Sequence, residues 1–129
     1  MSLTIDKPSK RVLVVDDVAD NIFLVQFLLE DRGYKVSTAE NGKAAVFQVK
    51  TEVVKPDLII LDLMMPEMNG YEVINYLRHC RNIPNIPILL MTADESVSYD
   101  EAINAGADEI MYKPLNLEQF MTKVKSFEL

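Results

Sequence analysis

The chain has 129 residues, a formal net charge of −7 and a sequence pI near 4.6. This length suits one domain, and the acidic balance argues against binding of nucleic acid or of an anionic membrane by this chain alone. The single cysteine, Cys80, excludes an internal disulfide and favours a reducing compartment, so we expect a cytoplasmic protein. No apolar stretch reaches the roughly 18 residues that a membrane span requires.

The predicted organisation is a flexible leader over residues 1–9 and one folded domain over residues 10–129. In the domain, short apolar runs alternate with helical stretches, which predicts parallel strands joined by helices. The first strand is predicted over residues 11–16. The helix after it covers residues 20–31, and Gly33 is placed to end it in a left-handed conformation.

The second strand, over residues 35–39, carries Ser37 and Thr38, and this polarity favours an edge position in the sheet. The second helix follows Asn41-Gly42. A loop over residues 63–69 then separates the third strand from the third helix.

Two more helices complete the chain. The fourth is predicted over residues 97–105 with Gly106 as its stop, and the fifth opens with Asn116 as its N-cap. Five strands and five helices predict an α/β fold, a (βα)5 doubly wound parallel sheet in the flavodoxin-like order 2-1-3-4-5. The more polar second and fifth strands then lie at the edges.

Polar side chains follow four of the apolar runs, at the point where each run ends: they are Asp16-Asp17, Asp62, Thr92 and Lys113. The carboxyl ends of parallel strands share one edge of a sheet, where ligands bind. Three carboxylates at that edge repel one another unless a cation lies between them. Oxygen ligands suit Mg²⁺, with Mn²⁺ as a second candidate, and Lys113 and Thr92 could contact a phosphoryl group. Asp62 is then placed as a nucleophile that forms an aspartyl phosphate.

Together, five short motifs resemble the receiver domain of two-component response regulators: Asp16-Asp17, Asp62 followed by Met65-Pro66, Gly70, Thr92-Ala93 and Lys113-Pro114. The resemblance covers residues 11–127. It implies a fold like that of the chemotaxis response regulator. It also implies phosphorylation of Asp62 by a histidine kinase or a histidine phosphotransfer domain, with a shift of the face formed by helix four, strand five and helix five. A signalling phosphoacceptor is implied rather than an enzyme, with only self-phosphorylation and self-dephosphorylation chemistry.

The resemblance implies further roles for individual residues. The implied contacts of Mg²⁺ are Asp17, Asp62, the main-chain carbonyl of Met64 and, mostly through water, Asp16. The implied phosphoryl-binding residues are Thr92, Ala93 and Lys113. The bond between Lys113 and Pro114 is expected to be cis.

One position departs from the family's pattern. Family members often carry Tyr or Phe three residues before the conserved lysine, where the ring moves with the phosphorylation state together with the threonine. Here that switch position, the counterpart of Thr92, is Ile110, and the aromatic residue is Tyr112. The usual switch therefore lacks its ring, whereas the phosphorylation chemistry needs no such ring.

A core stripe accounts for one face of the first helix and leaves Phe23, Leu24 and Phe27 without a core position. Exposed aromatic residues are candidate interface anchors, and the resemblance implies that this helix docks the four-helix phosphodonor. The alternative interpretation is contact with helix five on the same face of the sheet.

Three other functions compete with this hypothesis. A hydrolase of the haloacid dehalogenase type needs a second acid two residues after the nucleophile, where Met64 stands. A flavodoxin would bind a phosphate after the first strand, where Asp16 and Asp17 would repel it. A pseudo-receiver that only binds partners would not need the complete acidic set. The resemblance implies a downstream protein without naming it. For the chain itself we expect a monomer or a weak, phosphorylation-dependent dimer.

Overall fold

The structure is a computed structural model and describes residues 9–129, so the predicted leader lies outside the described residues except for Ser9. Strands and helices alternate along the chain: β1 (Arg11–Val15), α1 (Ala19–Glu30), β2 (Lys35–Ala39), α2 (Gly42–Thr51), β3 (Leu58–Asp62), α3 (Gly70–His79), β4 (Ile88–Thr92), α4 (Tyr99–Asn104), β5 (Glu109–Tyr112) and α5 (Leu117–Ser126). All four strand pairings are parallel, in the order β2-β1-β3-β4-β5. The predicted fold and strand order are therefore confirmed. Within the described part of the chain, no helix has the length and apolar character of a membrane span.

The sheet is covered by helices on both faces, which explains why its central strands are apolar along their whole length. β3 and β4 are buried at every position. Buried residues of α2, α3 and α4 share one core cluster with the sheet, and those of α1 and α5 share the other. Because neither face of the sheet is open, the carboxyl edge is left for binding.

The helix ends follow local signals in the sequence. Gly33 and Gly106 adopt φ angles of 90° and 110°, so the predicted left-handed end at Gly33 and the predicted stop at Gly106 are confirmed. Asn41 and Asn116 cap α2 and α5, each through a side-chain oxygen that accepts a hydrogen bond from a main-chain N–H three residues later.

The fourth helix is shorter than predicted, and the third carries a cap that the sequence-based prediction does not include. The predicted fourth helix, over residues 97–105, is too long, since α4 begins only after Ser98, whose hydroxyl caps the N–H of Glu101. At α3, Asn69 and Glu72 form a capping box, in which each side chain accepts a bond from the main chain of the other residue. Its three-residue spacing is visible in the sequence, yet it was not predicted.

Gly70 fixes the loop that follows β3. The main-chain N–H of Gly70 donates to the carbonyl of Leu63 at 2.9 Å. A Cβ atom at Gly70 would lie only 2.8 Å from the main-chain oxygen of Asp62, so glycine is required for this approach. The start of α3 therefore packs directly against the end of β3 and holds Asp62 at the edge of the sheet.

Candidate functional site

The chain turns sharply at the end of β1. The strand ends at Val15, one residue earlier than predicted, and the N–H of Asp16 still donates to the carbonyl of Ala39 at 3.2 Å. Oδ1 of Asp16 accepts a bond from the N–H of Val18 at 2.9 Å, which closes a turn. This turn takes Asp17 out of the pleat, so two adjacent carboxylates can reach the same edge of the sheet.

The three carboxylates predicted as a cation site lie together. One oxygen each from Asp16, Asp17 and Asp62 lies within 4.8 Å of the other two. An octahedral Mg²⁺ holds its ligands at about 2.1 Å, which places them about 3 to 4.2 Å apart, so small side-chain movements would let one ion contact the three carboxylates directly or through water. Asp16 and Asp62 are buried whereas Asp17 is exposed, so the cluster opens to solvent on one side.

Lys113 supplies a positive charge inside the cluster. Its Nζ lies 3.0 Å from Oδ2 of Asp16 and 3.5 Å from Oδ1 of Asp62. Its main-chain N–H donates to the carbonyl of Thr92 at 2.8 Å, and its bond to Pro114 is cis. Three carboxylates and one ammonium leave a formal charge of −2, which is the charge that one divalent cation neutralises.

Burial of Asp62 makes ionisation of its carboxyl group less favourable. Asp62 is 5% exposed, and this burial raises the pKa of its carboxyl group to about 6. The Lys113 ammonium opposes the rise in pKa, Asp16 adds repulsion, and the N–H of Met64, 3.4 Å from Oδ1, lowers the pKa slightly. With a pKa near 6, Asp62 is mostly ionised at neutral pH and remains a competent nucleophile, and its neighbours still favour any added cation.

Thr92 and Ala93 complete the edge at the end of β4. Thr92 is fully buried, and its Oγ1 accepts a bond from the N–H of Asp94 at 3.0 Å. The hydroxyl hydrogen of Thr92 therefore remains able to donate to a ligand. Ala93 follows at the exposed edge. The side chain and N–H of Ser96 lower the pKa of Asp94, so this acid is held in the loop as a hydrogen-bonded carboxylate.

Two of the predicted site residues, Met64 and Ile110, have side chains in opposite environments, one exposed and one in the core. The Met64 side chain is exposed, two residues beyond Asp62. Ile110 belongs to the core cluster shared with α4, together with Val97 and Ala102, and is not part of the acidic cluster. The structure thus brings together the acids, Thr92 and Lys113 at one edge, and places the predicted switch position in the core.

A cavity of about 310 Å³ lies beside the acidic cluster, between α1 and the connection from β5 to α5. Its polar end is formed by Asp16, Asp62 and Lys113, and, apart from Asn21, apolar side chains line the remainder, Leu24 and Leu115 among them. Sequence reasoning did not find Leu115, because no local pattern shows which residue of a connection faces α1.

The aromatic residues of α1 are largely open to solvent. Phe23 and Phe27 are 73% and 59% exposed, so neither ring is buried against helix five. Leu24 is also exposed in part and lines the cavity. An exposed apolar strip on α1 therefore leads towards the acidic cluster.

Comparison with known proteins gives a consistent result. Residues 12–125 match the family described as the response regulator receiver domain. The chain is 40% identical over 119 residues to the alkaline phosphatase synthesis transcriptional regulatory protein PhoP of Bacillus subtilis, covering 92% of this chain and 48% of that protein. It is 34% identical over 119 residues to the response regulator PleD of Caulobacter vibrioides, covering 92% of this chain and 26% of that protein. The chain thus spans about half the length, or less, of these relatives.

Solved structures of response regulators also resemble this chain in fold and sequence. The response regulator TrrA from Thermotoga maritima, in complex with Mg²⁺-BeF, is 36% identical with a TM-score of 0.80, covering 92% of this chain and 98% of that chain. A two-component response regulator from Clostridium difficile is 30% identical with a TM-score of 0.83, covering 93% of this chain and 96% of that chain.

The raised pKa of Asp62 predicts a stability effect with a definite sign. Because the pKa is higher in the folded state than in the unfolded chain, the folded state loses stability as pH rises from about 4 to about 6. In the absence of divalent cations, Asp62→Asn should therefore raise the free energy of unfolding at pH 7 by about 1–3 kcal/mol. Urea denaturation at pH 7 and at pH 4 measures this.

The gain should vanish at pH 4, where the wild-type carboxyl is protonated. Glu95→Gln, which removes an exposed carboxylate from the loop after β4, is the control and should change little at either pH. A loss of stability at pH 7 in Asp62→Asn would show that the carboxylate is not under electrostatic strain.

Proposed function

This chain belongs to the response regulator receiver domains, the phosphoacceptors of two-component signalling, and we propose that Asp62 is the residue that accepts the phosphoryl group. The observation that carries the proposal is the position of the Asp62 carboxylate. It ends a buried strand, within 4.8 Å of Asp16 and Asp17 and 3.5 Å from the ammonium of Lys113. A nucleophile that faces both a cation site and a fixed positive charge is suited to attack a phosphoryl group.

The phosphodonor is a phosphohistidine, since receiver domains accept phosphoryl groups from histidine kinases or phosphotransfer proteins. An oxygen of the Asp62 carboxylate attacks phosphorus. The O–P bond forms while the N–P bond breaks, and the electron pair returns to the imidazole nitrogen of the donor. The Lys113 ammonium, the Thr92 hydroxyl and the main-chain N–H of Ala93 contact the phosphoryl oxygens and stabilise their charge.

Receiver domains bind Mg²⁺ at their acidic site, and the three clustered carboxylates fit this hard, oxygen-binding cation. We assign its protein ligands to Asp17, Asp62 and the main-chain carbonyl of Met64, with Asp16 acting mostly through water. When bound, the cation supplies neutralisation of the phosphoryl charge. Mn²⁺, which also prefers oxygen ligands, should substitute for Mg²⁺.

Incubation with acetyl phosphate and Mg²⁺, followed by intact-mass spectrometry, tests the assignment of Asp62. We expect an acid-labile phosphate adduct on the wild-type chain and none on Asp62→Asn. Chelation of the cation with EDTA should also abolish the adduct. Asp57→Asn is a matched control, because Asp57 immediately precedes the first residue of β3, at the end of the strand opposite to Asp62. A full adduct on Asp62→Asn would refute the assignment, and no adduct on any variant would favour a domain that only binds partners.

The phosphodonor docks, we propose, on α1 beside the cavity. Phe23 and Phe27 are one helical turn apart, and both rings are exposed on the outer surface of this helix. Leu24 lines the cavity that ends at Asp62 and Lys113, so a partner on α1 would lie next to the phosphorylation site. Exposed aromatic side chains of this kind anchor protein interfaces by burying large apolar areas.

Phe27→Ala should slow phosphotransfer from a histidine phosphodonor by about tenfold or more, because an aromatic interface anchor contributes about 1–2 kcal/mol or more. Phosphorylation by acetyl phosphate, which needs no docking surface, should proceed at the wild-type rate. Phe47→Ala is the control: Phe47 is 67% exposed, but it lies on α2 on the opposite face of the sheet. Equal slowing by both phosphodonors, or by both variants, would contradict docking on α1.

The output of the domain is assigned to the face formed by α4, β5 and α5. Lys123 of α5 pairs with Glu109 of β5 at 3.5 Å, so these two elements form one surface. A phosphorylation-dependent shift of this face would bind a downstream protein or form a weak dimer. The chemistry proposed for the domain itself is limited to its own phosphorylation and dephosphorylation, in a protein that we place in the cytoplasm.

A further inference from the structure

α4 is weakly anchored by apolar contacts. Of its six residues, all within the described part of the chain, Ala102 alone is buried. Val97, just before the helix, and Ala107, just after it, add two more buried side chains. An element with so few buried apolar contacts has low local stability, so its polar contacts contribute a large share of what holds it in place.

Two tyrosine hydroxyl groups bind the start of α4 from different sides. The hydroxyl of Tyr112, at the end of β5, donates to the main-chain carbonyl of Val97. The hydroxyl of Tyr71, on α3, donates to Oε2 of Glu101 at 2.5 Å. Burial and the neighbouring Glu101 raise the pKa of Tyr71, so its phenol remains a protonated donor. α4 is thus tied to the sheet by one phenol and to α3 by the other.

Tyr112, which donates this bond to Val97, lies next to the proposed phosphoryl site. Tyr112 lies opposite Thr92 in the β4–β5 pairing, and the next residue, Lys113, donates its N–H to the carbonyl of Thr92. The Thr92 hydroxyl oxygen also accepts the N–H of Asp94, at the start of the loop that leads to Val97. A ligand that moves the Thr92 hydroxyl away from the N–H of Asp94 would weaken this hydrogen bond. The loop could then shift and carry the Val97 carbonyl away from the Tyr112 hydroxyl.

Ile110 cannot supply this connection. It lies two residues before Tyr112, so both side chains point to the α4 side of the sheet. Ile110 is buried in the core cluster and has no polar atom to exchange between partners. Tyr112 is 38% exposed, so its hydroxyl can exchange the Val97 carbonyl for solvent.

We propose that the Tyr112 hydroxyl, with Tyr71 as a second tether, holds α4 in its resting position, and that loss of the Tyr112–Val97 bond releases α4 on phosphorylation. The release step rests on the proposed function, whereas the tether does not. This assigns to Tyr112 a positioning role in place of the absent ring at position 110.

Hydrogen–deuterium exchange of the full chain tests the tether without any ligand. Tyr112→Phe keeps the ring and removes only the hydroxyl, and we expect amides of residues 98–104 to exchange about three- to tenfold faster, as for the loss of one hydrogen bond. Tyr71→Phe should act in the same direction. The control is Tyr99→Phe. Tyr99 is exposed on α4 itself, so this substitution should leave the exchange unchanged. Wild-type exchange in Tyr112→Phe would overturn the tether.

Addition of beryllofluoride and Mg²⁺, as a mimic of the phosphoryl group, tests the release step. In the wild type, exchange over residues 98–104 should rise towards the level of Tyr112→Phe, and in Tyr112→Phe it should rise little further. A full additional rise in the variant would refute the release step. If the wild type responds nowhere in the chain, the proposed function fails together with the release step, while the tether is still judged by the ligand-free result. Tyr112→Phe should accept phosphate from acetyl phosphate at the wild-type rate, since it lies outside the acidic cluster.

Discussion

Repulsion among Asp16, Asp17 and Asp62 is the interaction on which the site depends. Their carboxylate oxygens lie within 4.8 Å of one another, and two like charges at that separation repel by about 3.5 kcal/mol at the effective dielectric constant of a protein surface. Lys113 offsets part of this repulsion through its contacts with Asp16 and Asp62, and a net charge of −2 remains. The cluster therefore favours a divalent cation, and a cation beside a free carboxylate in turn favours a phosphoryl group.

The fold holds these charges together because they lie at the ends of parallel strands of one sheet. β1 is buried except at Arg11 and β3 along its whole length, and the two strands are paired, so Asp16 and Asp62 cannot move apart to relieve the repulsion. The surroundings differ on the two faces of the sheet. On one face, α1 exposes aromatic residues beside the cavity, which suits phosphodonor docking. On the other face, the short helix α4 has few buried residues, and two tyrosine hydroxyl groups bond to it and to the residue before its cap, which suits a response to phosphorylation.

The sheet and the acidic site could be predicted because both depend on local pattern. Apolar runs of strand length and the residues at their ends, such as Asp62 and Lys113, specify the order of elements and the edge where they meet. Other features depend on tertiary contacts between distant segments. The bond from Tyr112 to Val97 and the position of Leu115 in the cavity are examples, and no periodicity encodes them. The capping box of Asn69 and Glu72 is different, because its signal is local and the three-residue spacing is visible in the sequence.

The most direct test of the electrostatic account is the pKa of Asp62, measured by NMR from its carboxyl carbon across a pH titration. Without divalent cations we expect a value of about 6. Saturating Mg²⁺ should lower this pKa, because the cation stabilises the ionised form. An ordinary aspartate value of about 3.9 that does not respond to Mg²⁺ would contradict the account.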